Sequence, residues 1–182
     1  VGVRWTEGSD HAESCLQPDH LVSDTEASLT RLGVDTIDLL QVHWPCEHGA
    51  ALPETLDVLE GLRESGKIRW YGLCNYDAAE VAAARDRPGM VSLQTPYSLL
   101  RRDLEGPLMD ACTAAGHSVG VLAYEPLCCG LLTGKFTQLP RFPDTDMRSW
   151  DPRFQGARFH HARRLVADLT RAAEKLQVPT AA

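Results

Sequence analysis

Residues 37–44 read IDLLQVHW: a short apolar run, Ile37 to Val42, that stops at His43 and Trp44. Such a run, bounded by polar residues, suits a strand buried on both faces. Three more runs repeat the arrangement. Ile68 to Leu73 stops at Cys74 and Asn75, Met90 to Leu93 at Gln94, and Val119 to Ala123 at Tyr124. The starts at 37, 68, 90 and 119 lie 31, 22 and 29 residues apart, which is too far for hairpins and fits strand-helix-strand units.

The gaps carry helix punctuation. Ser23 with Glu26 reads as a capping box, followed by an apolar face at Leu29 and Leu32 and a stop at Gly33. Pro53 opens a second helix with Leu56, Leu59 and Leu62 on one face and Gly66 at its end. Asp77 and Glu80 cap an Ala-rich helix running to about Asp86. Leu104, Leu108, Ala111 and Ala115 face inward on a fourth, which Gly116 terminates. A fifth is expected from about Arg158 to Gln177, with Leu165, Leu169, Ala172 and Leu176 in register. Between Thr133 and Arg158 lies a loop rich in Pro, Asp and Arg, long enough to be functional.

This alternation implies a parallel sheet with right-handed crossovers. An open doubly wound sheet and a (β/α)8 barrel both fit, and both gather ligands at the carboxyl ends of their strands. No GxGxxG follows any strand, which lowers the dinucleotide-binding open sheet. His43, Asn75, Gln94 and Tyr124 each end a strand with a hydrogen-bonding group. Any one of them alone could be a satisfied strand end. Four in succession point to one shared polar pocket.

Composition narrows the function. Hydrophobic residues at 43% and charged residues at 24% fit a globular chain and make disorder a poor reading. The net charge of -7 argues against a nucleic-acid partner, whose binding needs a basic footprint. No apolar run approaches the roughly 20 residues of a membrane span, so no membrane partner is expected. The six cysteines, Cys15, Cys46, Cys74, Cys112, Cys128 and Cys129, contain no CxxC pair and read as free thiols in a reducing cytoplasm. His43, Cys46, Glu47 and His48 crowd together, but no second ligand pair accompanies them, and no metal is assigned.

Four segments together resemble the aldo-keto reductases: SLTRLGVDTIDLLQVHWP, GKIRWYGLCNY, QTPYSLLRRDLEGPL and AYEPLCCGLLTGKF. They stand in that family's order and spacing from about Ser23 onward. The resemblance implies an α/β fold, part of a TIM-type (β/α)8 barrel with about four parallel strands and flanking helices. It implies NAD(P)H-dependent reduction of an aldehyde or ketone, a small-molecule carbonyl substrate, and NADP(H) in preference to NAD(H). The family's catalytic set is Asp, Tyr, Lys and His. His43 matches the histidine, which helps orient the substrate carbonyl, and the other three have no match in this sequence.

For the cofactor, the resemblance places Asn75 and Gln94 on the nicotinamide carboxamide, with Cys74 where a serine is usual. By the same resemblance, Tyr124 would stack on the nicotinamide ring. The loop from Glu125 to Lys135 wraps the pyrophosphate, and its matching positions are Glu125, Pro126, Leu127, Cys128, Gly130, Leu131 and Lys135. Gly130 and Gly134 would allow close backbone approach. Tyr97 and Ser98 are read as supports, and Arg148 could approach an anionic cofactor group.

The opening VGVRWTEG resembles the stretch that follows the family's catalytic lysine, and LQVPTAA precedes its last strand. Residues 1–182 are therefore expected to be a single aldo-keto reductase-like domain truncated at both ends. The intact parent would be the reductase and the chain as given inactive. Alternatives are a non-catalytic nicotinamide-binding or regulatory module, or a non-functional fragment. Four strands leave two open sheet edges through which a second copy could associate.

Overall fold

Four parallel strands form the sheet that the apolar runs imply. The computed structural model describes residues 1–5, 12–46, 50–114, 116 and 118–181. These fall into two units, one comprising 1–96 and 103–124, the other 97–102 and 125–182.

The first unit opens with an antiparallel ribbon of β1 (Val3–Trp5) and β2 (Ala12–Ser14), which the sequence reading did not anticipate. Next come α1 (Pro18–Leu32), β3 (Ile37–Val42), α2 (Leu52–Glu64), β4 (Ile68–Cys74), α3 (Ala78–Ala84), β5 (Met90–Pro96), α4 (Pro107–Thr113) and β6 (Gly120–Tyr124). The sheet order is β3-β4-β5-β6, all parallel, and among the described residues no further strand extends it and no barrel closes. Consecutive helices touch, α1 with α2, α2 with α3, and α3 with α4.

One sheet face is packed. Leu40, Val42, Tyr71, Leu73 and Leu93 are all buried, each such leucine contributing about 1.5–3 kcal/mol. Tyr71 donates its hydroxyl to Glu60 Oε1 at 2.8 Å, and Glu60 also accepts from Arg63 Nε at 2.8 Å and the Gly89 N–H at 2.9 Å. That carboxylate ties α2 to β4 and to the turn before β5. The opposite face carries Leu39, Trp70 and Leu122, since side chains alternate along a strand. Trp70 is 46% exposed and Leu122 43%.

Three helices of this unit differ from expectation. α1 begins five residues before Ser23, because Pro18 at the first helical turn supplies a preset φ. Ser23 is therefore interior and donates its hydroxyl to the His20 carbonyl at 3.0 Å. The buried positions are Leu21 and Thr25, while Leu32 is exposed. The box at Asp77 and Glu80 does form, with both reciprocal bonds at 2.9 Å, though its helix stops at Ala84. α4 ends at Thr113, so Gly116 lies past its end and Leu104 precedes its start; Ala115 lies outside the described residues.

The second unit consists of short 3-10 turns at Cys128–Thr133, Met147–Ser149 and Pro152–Phe154, followed by α5 (Gly156–Leu176). Its core is Cys128, Leu131, Leu132, Phe154, Phe159, Ala162 and Val166. The buried stripe of α5 runs through Phe159, Ala162, Val166 and Ala173, not through Ala172 and Leu176. Phe159 is the reason: an aromatic ring carries more burial than any other residue on the helix, and it turns the stripe toward itself. Among the described residues no helix is long and apolar enough to cross a membrane.

Candidate active site

Each parallel strand delivers a polar group at its carboxyl end. His43 follows β3, Cys74 ends β4 with Asn75 next, Gln94 lies in β5 beside Cys74, and Tyr124 ends β6. With Val1, Gln41 and Trp44 they line an open pocket of about 520 Å³. The five pocket residues expected from sequence in this unit therefore converge.

Asn75 is the hub. Its φ of 64° places it in the left-handed region, which asparagine tolerates better than most residues. Its backbone N–H donates to the Gln94 carbonyl at 2.9 Å and its Nδ2 to the His43 carbonyl at 3.1 Å. Its Oδ1 accepts from the Tyr124 hydroxyl at 2.7 Å. One side chain thus joins the ends of β3, β4 and β6. Beside it, the Cys74 thiol donates to Gln94 Oε1 at 3.3 Å. Burial pushes that thiol up to about 11, so it stays protonated at neutral pH.

The His43 ring stacks on Trp44 with centroids 4.1 Å apart. Partial burial holds its pKa below the usual histidine value. At neutral pH it is an uncharged imidazole, with one ring nitrogen donating and the other accepting.

Below these groups, Gln41, Gly72, Ser92 and Gly120 stand side by side across the four strands. A Cβ at Gly72 would lie 2.0 Å from Gln41 Oε1 and 2.1 Å from Ser92 Oγ. Glycine there lets the Ser92 hydroxyl reach Gln41 Oε1 at 3.4 Å. Gln41 Nε2 is buried with no hydrogen-bond partner among the described residues. The sequence reading missed Gln41, although a glutamine two residues before His43 in an apolar strand must share the histidine's face.

Glu125, Pro126, Leu127, Cys128, Gly130, Leu131, Lys135 and Arg148 belong to the second unit. Glu125, Cys128, Cys129 and Gly130 all have positive φ, between 49° and 89°, so the loop is tightly coiled. The Cys128 sulfur lies 3.0 Å from Ser98 Oγ, and Ser98 also caps the N–H groups of Leu100 and Arg101. Leu131 is core, whereas Leu127 is exposed and Pro126 is on the surface. Lys135 lies 4.8 Å over the Phe136 ring. Arg148 forks onto Asp146 and rests 4.3 Å over Phe142, so its charge is already matched within its own loop. Of the residues set aside as a metal cluster, Glu47 and His48 lie outside the described residues.

Comparison with known proteins gives the same reading from another direction. The sequence model of the Aldo/keto reductase family matches residues 2–182. The chain is 38% identical over 139 residues to the aldo-keto reductase YhdN of Bacillus subtilis, covering 76% of this chain and 41% of that protein. It is 38% identical over 125 residues to the NADH-specific methylglyoxal reductase of Escherichia coli, covering 68% and 38%. To the Schizosaccharomyces pombe aldo-keto reductase yakc [NADP(+)] it is 31% identical, covering 86% and 46%. Among solved structures, the glycerol dehydrogenase AKR11B4 from Gluconobacter oxydans superposes with a TM-score of 0.89 at 32% identity, covering all of this chain and 55% of that one. The chain therefore spans about half the length of the relatives it matches. Its four-stranded sheet corresponds to part of their barrel, and a match along nearly every residue means that this chain belongs to the aldo/keto reductase family.

Proposed function

We propose that the chain forms the nicotinamide side of an NAD(P)H-dependent oxidoreductase that reduces an aldehyde or ketone to an alcohol. The observation that carries this is the convergence of His43, Asn75, Gln94 and Tyr124 on one pocket. The donor set suits a nicotinamide. Asn75 and Gln94 offer amides to a carboxamide, and Tyr124 offers a ring face. When bound, the reduced cofactor supplies hydride.

The chain's own residues position and exclude. The neutral His43 imidazole can donate one hydrogen bond to a carbonyl oxygen without adding charge. The Cys74 thiol holds the Gln94 side chain by a hydrogen bond to its Oε1. Delivery of a proton to that oxygen falls, in the family set, to a Tyr assisted by Lys and Asp, and this sequence holds no residue matching them. The 182 residues are accordingly expected to bind the nucleotide without turning over, as one truncated part of a reductase domain. NADP(H) is the preferred cofactor in this reading; the relatives named above include one called NADP(+)-linked and one called NADH-specific. The six unpaired cysteines fit a cytoplasmic setting.

The test is a fluorescence titration of NADPH and NADH with the 182-residue chain, alongside an aldehyde-reduction assay. Saturable binding without loss of NADPH absorbance is expected. Sustained turnover would overturn the inactivity of this chain, and no saturation with either nucleotide would overturn the nicotinamide pocket. Saturable binding is also what a non-catalytic nucleotide-binding module would show.

A further inference from the structure

The nicotinamide reading gives Tyr124 a ring to stack, but its hydroxyl has separate work in this structure. It donates to Asn75 Oδ1 at 2.7 Å, from the end of β6 to the residue after β4, passing over β5. The same amide donates through Nδ2 to the His43 carbonyl at 3.1 Å. A backbone carbonyl can only accept, so Nδ2 must face His43. The Tyr124 hydroxyl locks the other end by supplying a proton that only Oδ1 can take. A primary amide carries two N–H donors and two acceptor lone pairs. The two bonds consume one of each, leaving at most one N–H and one lone pair for a ligand.

We propose that Tyr124 is a positioning residue: its hydroxyl fixes the orientation of the Asn75 amide, and so makes the pocket select a ligand carboxamide over the corresponding carboxylate. This rests on the nicotinamide reading and deepens it. A carboxamide both donates and accepts, and it satisfies the remaining N–H and lone pair together. A carboxylate only accepts, and one of its oxygens would meet Asn75 Oδ1 with no proton between them. Without the Tyr124 hydroxyl, the amide is held only by its bond to the His43 carbonyl, and breaking that single bond lets it turn N–H groups toward either ligand. The preference then weakens while the ring surface stays in place.

The experiment is competition against NADPH fluorescence by NADP+ and by its nicotinic-acid counterpart, with the wild-type chain, Tyr124→Phe, Asn75→Ala and the double variant. Wild type should favour the carboxamide. Tyr124→Phe should cut that preference by roughly three- to tenfold, the size of one hydrogen bond. In the Asn75→Ala background, Tyr124→Phe should change the preference no further, because the two act through one contact. Asn75→Asp keeps the Tyr124 bond and adds a negative charge, so it should reject the nicotinic-acid counterpart at least as strongly as wild type. An unchanged preference in Tyr124→Phe, including one accompanied by a uniform loss of affinity, overturns the proposal. So does an equal further drop in the Asn75→Ala background, or a lowered preference in Asn75→Asp. Failure of wild type to bind NADPH at all overturns the nicotinamide reading itself and this inference with it.

Discussion

Arg153 holds two carboxylates at once. Its NH1 lies 2.7 Å from Glu125 Oε2 and its NH2 2.7 Å from Asp151 Oδ2. Asp151 is only 6% exposed. Burial alone would raise its pKa, but hydrogen bonds from the Arg153 side chain and backbone outweigh burial and leave it below the usual carboxylate value. A carboxyl with a depressed folded pKa stabilises above its unfolded value, near 4, and loses that contribution as pH falls through the folded value. Arg153→Leu should cost about 1–3 kcal/mol at neutral pH, because it strands a buried carboxylate. The gap to wild type should narrow by pH 3, where the carboxylate is protonated in the variant. Urea melts at both pH values check this, and a gap independent of pH would refute it. None of this was legible in the sequence: Arg153 and Asp151 are two residues apart, but Glu125 is far along the chain and only the coiled loop brings it in. His43, Asn75, Gln94 and Tyr124 were legible, because each interrupts an apolar run. The bond from Tyr124 to Asn75 was not, since it depends on side-chain direction across an intervening strand.

At the level of elements, Ser23 and Asp77 make a matched comparison. Both precede a glutamate by three residues, and the spacing reads as a capping box in each case. Only Asp77 stands at a helix start, with its side chain accepting from the Glu80 N–H. Ser23 sits inside α1, where alanine is the better helix former. Asp77→Ala should therefore destabilise by about 0.5–2 kcal/mol, while Ser23→Ala should be neutral within about 0.5 kcal/mol or slightly stabilising. Denaturant midpoints of the two variants decide it; comparable losses in both would contradict this assignment of the helix starts. The strands were easier to read than the helices. A buried strand announces itself by continuous apolar residues, and all four were placed within about three residues at either end. Three residues of spacing, by contrast, recur on any helical face.

At the scale of the whole molecule, the parallel sheet of the first unit is packed on one face and only partly buried on the other. Parallel sheets ordinarily have both faces buried, and here Trp70 and Leu122 remain 46% and 43% exposed on the other. Among the described residues the sheet ends at β3 and β6; Val1 bonds to the Gln41 carbonyl and the His43 N–H at the carboxyl end of β3, and strand edges left unpaired elsewhere favour pairing with other chains. The chain should therefore enhance the fluorescence of an apolar dye and show a mass in sedimentation that rises with concentration. Trp70→Lys with Leu122→Lys should reduce both signals. A dye-silent monomer at every concentration would count against this view of the exposed face.

What the sequence determined by itself was periodicity and punctuation: parallel strands at their spacings, the polar residue ending each, and the family whose segments these are. All of that is local, written in runs of a few residues. Tertiary structure alone decided which groups meet. Asn75 ties three strand ends together, Gly72 makes room for Ser92 to reach Gln41, and Phe159 turns the buried stripe of α5. These depend on strand register and side-chain direction, which follow from packing across the sheet and within the core, and no single segment encodes them.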